Sequence, residues 1–139
     1  MKNYLIDGKN LTPEIVYDYS IHGSQSYNLS LSSPSLEAMK RSRQYVMEII
    51  KKDKAVYGIN TGFGALAHKK INNENLEKLQ YNLIRSHCTG VGRPYDKQVT
   101  RAIMLLRASC LARGNSGICL LYTSPSPRDQ RGSRMPSSA

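Results

Sequence analysis

The 139-residue chain has no apolar run approaching the roughly 20 residues that a membrane-spanning helix needs, and its Met1-Lys2-Asn3-Tyr4 start opens no secretory leader. No membrane partner is expected. Its three cysteines, Cys88, Cys110 and Cys119, are odd in number and lack metal-ligand spacing. That argues against a disulfide framework and for a reducing compartment, so the expected location is cytoplasmic and no metal is expected. His22 and His68 also lack partners at metal spacing and read as surface or packing histidines. Acidic residues are few, 10 against 20 Lys+Arg, which leaves a net charge of +10. The basic residues are nevertheless scattered, with only Lys51-Lys52 and Lys54 and the pair Lys69-Lys70 clustered. Without a basic face interleaved with exposed aromatics, nucleic-acid binding is not expected. Attraction of an anionic small molecule is compatible with this charge.

What the chain does concentrate is glycine, in Val56-Tyr57-Gly58-Ile59-Asn60-Thr61-Gly62-Phe63-Gly64. Glycine lets the backbone take positive φ and approach a ligand closely. The spacing of Gly58, Gly62 and Gly64 is not that of a dinucleotide fingerprint, and no Gly-Lys-Ser/Thr follows, so nucleotide binding is disfavoured. Two readings stay open. The stretch is either a ligand site with one phenol at its mouth or a structural turn between a short strand and a helix.

Along the chain, Tyr4-Leu5-Ile6 before Asp7-Gly8 reads as a short strand ending in a turn. Thr12 offers an N-cap with Pro13 in the first helical position, and this short helix should stop near His22-Gly23. A second strand is expected around Tyr27–Leu31, and Ser33-Pro34 starts a helix reaching about Asp53 with Leu36, Met39, Val46 and Ile50 at helical spacing. Asn72 can cap a third helix whose stripe is Leu76, Leu79, Leu83 and His87. At the end of that stripe, His87 reads equally as a core histidine or a functional one. Gly90 to Pro94 interrupts the chain, and a last helix from Asp96 is expected to bury Val99, Ile103, Leu106 and Cys110 and to stop at Gly114. The fold class expected is mainly α with a few short strands.

Composition changes at Cys119. From there to Ala139 the chain holds half of the six prolines and, past Tyr122, almost nothing apolar, so burial cannot offset its ordering entropy. This stretch resembles a translated adapter or vector sequence. The expectation is therefore a native segment over 1–118 and a disordered, non-native tail over 119–139. The tail carries three arginines and one aspartate, so the native segment keeps +8.

Four motifs in order, Tyr57–Gly64, Leu79–His87, Gly90-Val91-Gly92 and Leu111–Gly117, make residues 1–118 resemble the N-terminal part of an aromatic amino acid ammonia-lyase. The likeness is strongest to the histidine ammonia-lyase branch. It implies an all-helical, L-aspartase-like fold, a homotetramer in the complete protein, and removal of ammonia from an aromatic amino acid, with histidine giving urocanate. The β-proton of such a substrate is barely acidic, so a positioned base and a strong electrophile are both required. In the family the electrophile is 4-methylidene-imidazol-5-one, formed from an internal Ala-Ser-Gly. No Ala-Ser-Gly occurs in this chain: Ala108-Ser109 precedes Cys110, and Asn115-Ser116-Gly117 lacks the alanine.

Carried over residue by residue, the resemblance makes Tyr57 the catalytic base and Gly64 the glycine whose backbone lies against the substrate. Ser86-His87 matches the pair facing the substrate side chain, and Ser-His is typical of histidine-specific members. Two alternatives are kept: a tyrosine or phenylalanine ammonia-lyase or aminomutase of the same family, and a non-enzymatic basic helical adaptor. Lacking the electrophile, the segment alone is expected to be inactive.

Overall fold

The computed structural model describes residues 1–52 and 54–120, and the described chain divides into two compact units. The first comprises Met1–Arg43 and the chain from Lys97 onward; the second is Gln44–Asp96. The expected disordered tail falls, from residue 121 on, outside the described residues, as does the expected helix end at Asp53.

In the first unit, strand β1 (Lys2–Ile6) pairs in parallel with β2 (Tyr27–Leu31), in a register that runs from Lys2 opposite Tyr27 to Ile6 opposite Leu31. A parallel pair cannot be closed by a tight hairpin, and the crossover is helix α1 (Pro13–His22). Thr12 caps α1 as its pattern predicts, the hydroxyl accepting the Ile15 N–H at 3.4 Å with Pro13 in the first turn. Gly23, at φ +57°, stops it, a left-handed conformation that glycine alone adopts at little cost. The last carbonyls of α1 are satisfied from far along the chain: the Arg101 guanidinium donates to the oxygens of Ser20 (3.2 Å) and Ile21 (2.8 Å).

Helix α2 runs Ser33–Lys51, and helix α4 over Lys97–Ala112 closes the core of this unit. Ile6, Leu105 and Ala112 are buried there, with Tyr4, Leu11, Val16, Leu29 and Leu31 packed against them, while Leu5 on the opposite strand face is exposed. The buried face of α4 is thus Leu105, Ser109 and Ala112, not the expected stripe. Val99, Ile103, Leu106 and Cys110 are exposed. The true face lies one residue back from Leu106, a rotation of about 100°. Apolar residues occupy α4 on more than one side, and the small Ala108, Ser109 and Ala112 are what let it lie close to its neighbours.

In the second unit, helix α3 spans Asn73–His87. Asn72 occupies the N-cap position, but its side chain makes no capping bond; the Asn72 carbonyl accepts the Asn75 N–H at 2.8 Å instead. Leu76, Leu79 and Leu83 are half-buried and His87 is exposed, which removes the reading of His87 as a core histidine. No strand leads into the glycine-rich stretch among the described residues. It is a turn followed by an isolated antiparallel bridge between Thr61 and Lys70 and a 3-10 turn at Gly64–Leu66.

Candidate active site

The glycine stretch is organised by a residue that its spacing alone does not reveal. Asn60 is wholly buried. Its Oδ1 accepts the Val56 N–H at 2.7 Å and its Nδ2 donates to the Lys54 carbonyl at 3.0 Å. Its own backbone N–H reaches the Val56 oxygen at 3.2 Å, while its carbonyl accepts the Ile71 N–H at 2.8 Å. The buried carboxamide thus closes the entrance of the turn while the Asn60 backbone carbonyl holds its exit, satisfying polar backbone groups that a loop would otherwise leave to water. The buried Thr61 continues the knot, its hydroxyl donating to the Gly62 carbonyl at 3.0 Å and the Gly62 N–H to the Lys69 oxygen at 3.2 Å.

The glycines have separate tasks. Gly58 and Gly64 sit at φ +77° and +57° with open space where a side chain would stand. Gly62 has no positive φ, but a Cβ there would lie 2.7 Å from the Leu66 Cβ and 2.9 Å from the Leu66 carbonyl oxygen. Conformation explains two of them and close packing the third.

On this frame Tyr57 is held out from the turn, 64% exposed, its ring edge-on to Phe63 with centroids 6.0 Å apart and planes at 72°. Among the described residues none donates a hydrogen bond to its hydroxyl. A phenol so presented is available to a proton-bearing ligand and is steered by an aromatic neighbour. Tyr57 stands in the turn itself, with no strand leading into it among the described residues.

Ser86 and His87 form a second group, on the last turn of α3. The Ser86 hydroxyl donates to the Leu83 carbonyl at 2.8 Å. His87 Nδ1 lies 2.9 Å from that same carbonyl and 2.9 Å from Ser86 Oγ. Arg85 on the same turn stacks over the Tyr81 ring at 4.8 Å, and Arg85 and His87 together suit the negative pole of the helix. Tyr57, Gly64, Ser86 and His87 all fall within the unit Gln44–Asp96, as a turn-borne pair and a helix-end pair. The Asn60 knot escaped the sequence pattern. A lone asparagine between glycines signals a turn, not a buried hub.

His22 and His68 are both exposed, and His22 meets Asp18, its Nδ1 2.9 Å from Oδ1. Among the described residues no three His, Cys, Asp or Glu side chains gather as a metal site, and no helix is long and apolar enough to cross a membrane.

Fold and turn together define a mainly helical segment that presents a phenol from a glycine-built loop and an imidazole from a helix end. The sequence profile of the aromatic amino acid lyases matches residues 11–123, and the chain belongs to that family. Histidine ammonia-lyase of Caldanaerobacter subterraneus subsp. tengcongensis is 45% identical over 120 residues, covering 86% of this chain and 23% of that protein. Among solved structures, ergothionase from Treponema denticola superposes with a TM-score of 0.79 at 29% identity, over 88% of this chain and 24% of that one. The tyrosine aminomutase of Streptomyces globisporus gives 0.75 at 28% identity, over 84% and 22%. The chain thus spans less than a quarter of the length of each of these proteins.

Proposed function

We propose that residues 1–118 are the N-terminal part of the catalytic domain of a histidine ammonia-lyase, a carbon–nitrogen lyase that converts L-histidine to urocanate and ammonia in histidine breakdown. The observation that carries this reading is the 45% identity to a histidine ammonia-lyase over 120 residues. It is supported by the Ser86-His87 pair. Residues 119–139 are read as a non-native extension, and the complete protein as a cytoplasmic homotetramer.

In this reading Tyr57 takes the β-proton of the substrate as the C–N bond breaks and the double bond forms. A phenol ordinarily ionises near 10, so the reactive phenolate needs donors or positive charge beside it in the complete site. Gly64, which carries no side chain and leaves open space beside it, lets backbone lie against the substrate. Ser86 and His87 face the substrate ring. The family's methylidene-imidazolone electrophile does not fit the residues present. Ser109, in the nearest match to its parent tripeptide, is buried within α4 and followed by Cys110. The 139-residue chain alone is therefore expected to make no urocanate.

The test is a full-length chimera in which residues 1–118 replace the equivalent part of the Caldanaerobacter enzyme. It should form urocanate from L-histidine, read by its absorbance, and Tyr57→Phe should lower kcat/KM by about 10²-fold or more while the protein stays folded. A folded chimera inactive on histidine, tyrosine and phenylalanine alike would sink the proposal. Preference for tyrosine would favour the second reading, a tyrosine or phenylalanine ammonia-lyase or aminomutase, which the likeness to a tyrosine aminomutase structure supports.

A further inference from the structure

We propose that the cleft between the turn after β1, the start of α2 and the end of α4 binds the phosphate group of a small organic phosphate monoester, held by Arg41, Arg113, Lys9 and the Ser35 hydroxyl. The proposal does not depend on the lyase reading. It also gives a role to the Leu111–Gly117 motif, none of whose residues enters the site described above.

The cleft lies within the first unit and has a volume of about 920 Å³. Its walls are set close against one another. A Cβ on Gly8 would stand 2.7 Å from Arg113 Cγ, and one on Gly114 would stand 2.6 Å from Ala38 Cβ, so the β1 turn, the end of α4 and the flank of α2 meet at glycines. Arg113 spans the join, its Nε donating to the Gly8 carbonyl at 2.9 Å, while among the described residues its two terminal nitrogens donate to nothing. Arg41 and Lys9 also line the cleft, and neither side chain makes a hydrogen bond or ion pair among the described residues. The carboxylates close by are engaged elsewhere. Glu37, one turn before Arg41, feels its charge but bonds to Lys40 at 2.9 Å. Asp7, which lines the cleft, accepts the Lys9 and Asn10 N–H groups at 2.8 and 2.9 Å. Three cations thus share the cleft with one carboxylate, beside the positive pole of α2.

Positive charge alone would mark an ordinary solvated surface. Ser35 marks a site. It is 5% exposed, and although its N–H is taken by Ser32 Oγ at 3.3 Å, its hydroxyl has no hydrogen-bond partner among the described residues. No sealed side-chain oxygen among those residues lacks a partner, so what remains exposed of Ser35 is that hydroxyl, and it opens on the cleft. A hydroxyl so nearly enclosed and unpaired is a directed donor for an acceptor that enters.

Donors arriving from three elements also select the ligand. A carboxylate presents two oxygens in one plane, which a single guanidinium satisfies, whereas a phosphate monoester carries close to two negative charges and three oxygens that point in different directions. Leu5 and Ala38 add apolar wall, suited to the organic part of the ester.

The test titrates phenyl phosphate into the 139-residue chain, followed by amide chemical shifts. The expected result is saturable shifts at Lys9, Ser35, Ala38 and Gly114, with weaker binding of inorganic phosphate and of succinate. Arg41→Gln should weaken binding about tenfold and Ser35→Ala about threefold or more, with the fold unchanged because neither side chain holds another residue. Arg107→Gln removes an equal charge from an exposed position of α4 outside the cleft and should change nothing. Absence of saturable binding, or equal weakening by Arg107→Gln, overturns the site. Unchanged affinity in Ser35→Ala removes the hydroxyl from it, tighter binding of succinate overturns the phosphate assignment, and inorganic phosphate binding as tightly as the ester overturns the organic part. The folded full-length chimera is titrated in parallel, and binding to the 139-residue chain but not to the chimera would show the cleft covered in the complete protein and overturn the proposal there.

Discussion

The side-chain oxygen of Asn60 holds the Val56 N–H at 2.7 Å, and this bond sets the turn from which Tyr57 projects. Asn60→Ala removes that acceptor and the donor to the Lys54 carbonyl together; Lys54 is exposed and Val56 half-buried, so their backbone groups turn to water and the loss is about 1 kcal/mol per bond. The expected outcome is faster hydrogen exchange at the Val56 and Ile71 amides, with α4 unaffected because it belongs to the other unit. In the full-length chimera the same change should lower kcat/KM although Asn60 itself is buried away from solvent. Unchanged exchange at both amides would refute the knot.

Gly62 and Gly64, two positions apart, should respond differently to alanine. At Gly62 the new methyl would meet backbone and side chain of Leu66 below 3.0 Å, so the 3-10 turn must shift and the bridge between Thr61 and Lys70 weaken. Gly64→Ala meets nothing within 4 Å and bears only the left-handed penalty of about 1–2 kcal/mol. Protease susceptibility of the turn should therefore rise more for Gly62→Ala. In the chimera, Gly64→Ala should raise KM more than it changes stability, because its added methyl points into space proposed for substrate.

Much of this was legible in the residues. Strand Tyr27–Leu31, the Thr12-Pro13 start and the Gly23 stop follow local rules of alternation, capping and glycine conformation, and the structure agrees with each. The parallel register of β1 and β2 was not legible, nor was the reach of Arg101 to α1. Both are set by partners dozens of residues away, about which a local pattern is silent. Asn60 was hidden for a related reason: the sequence shows a turn residue, and only the folded turn shows that it is buried. The role of the candidate site residues came from four ordered motifs, not from any one side chain.

Acid should weaken the first unit through Asp18. Its carboxyl is lowered from 3.8 to about 2, first by the Tyr27 hydroxyl and next by the Lys2 ammonium, 3.0 Å away. A depressed folded value means that the stabilisation is complete above the unfolded value near 3.8 and is lost as pH falls through about 2. Tyr27 and Lys2 shift upward by the same contacts, so their share persists below pH 10 and fades only as pH rises through their folded values. Denaturant midpoints followed by circular dichroism should decline between about pH 4 and 2, and Asp18→Asn should flatten that decline. An equal slope in both proteins would show that Asp18 is not the linked group.

Neighbouring leucines on α4 give the sharpest check on which face of that helix is inside. Leu105 is 2% exposed and Leu106 is 52% exposed, although the apolar spacing alone favoured Leu106. Truncating a buried leucine removes its transfer free energy and leaves a cavity beside Ile6 and Ala112, so Leu105→Ala should cost about 2–5 kcal/mol. Leu106→Ala removes a side chain that solvent already reaches and should change stability by about 0.5 kcal/mol or less. Thermal or urea unfolding of the two variants reads this contrast directly. Equal losses would mean that the helix buries both faces in solution, and a larger loss at Leu106 would restore the stripe Val99, Ile103, Leu106 and Cys110 as the inner one.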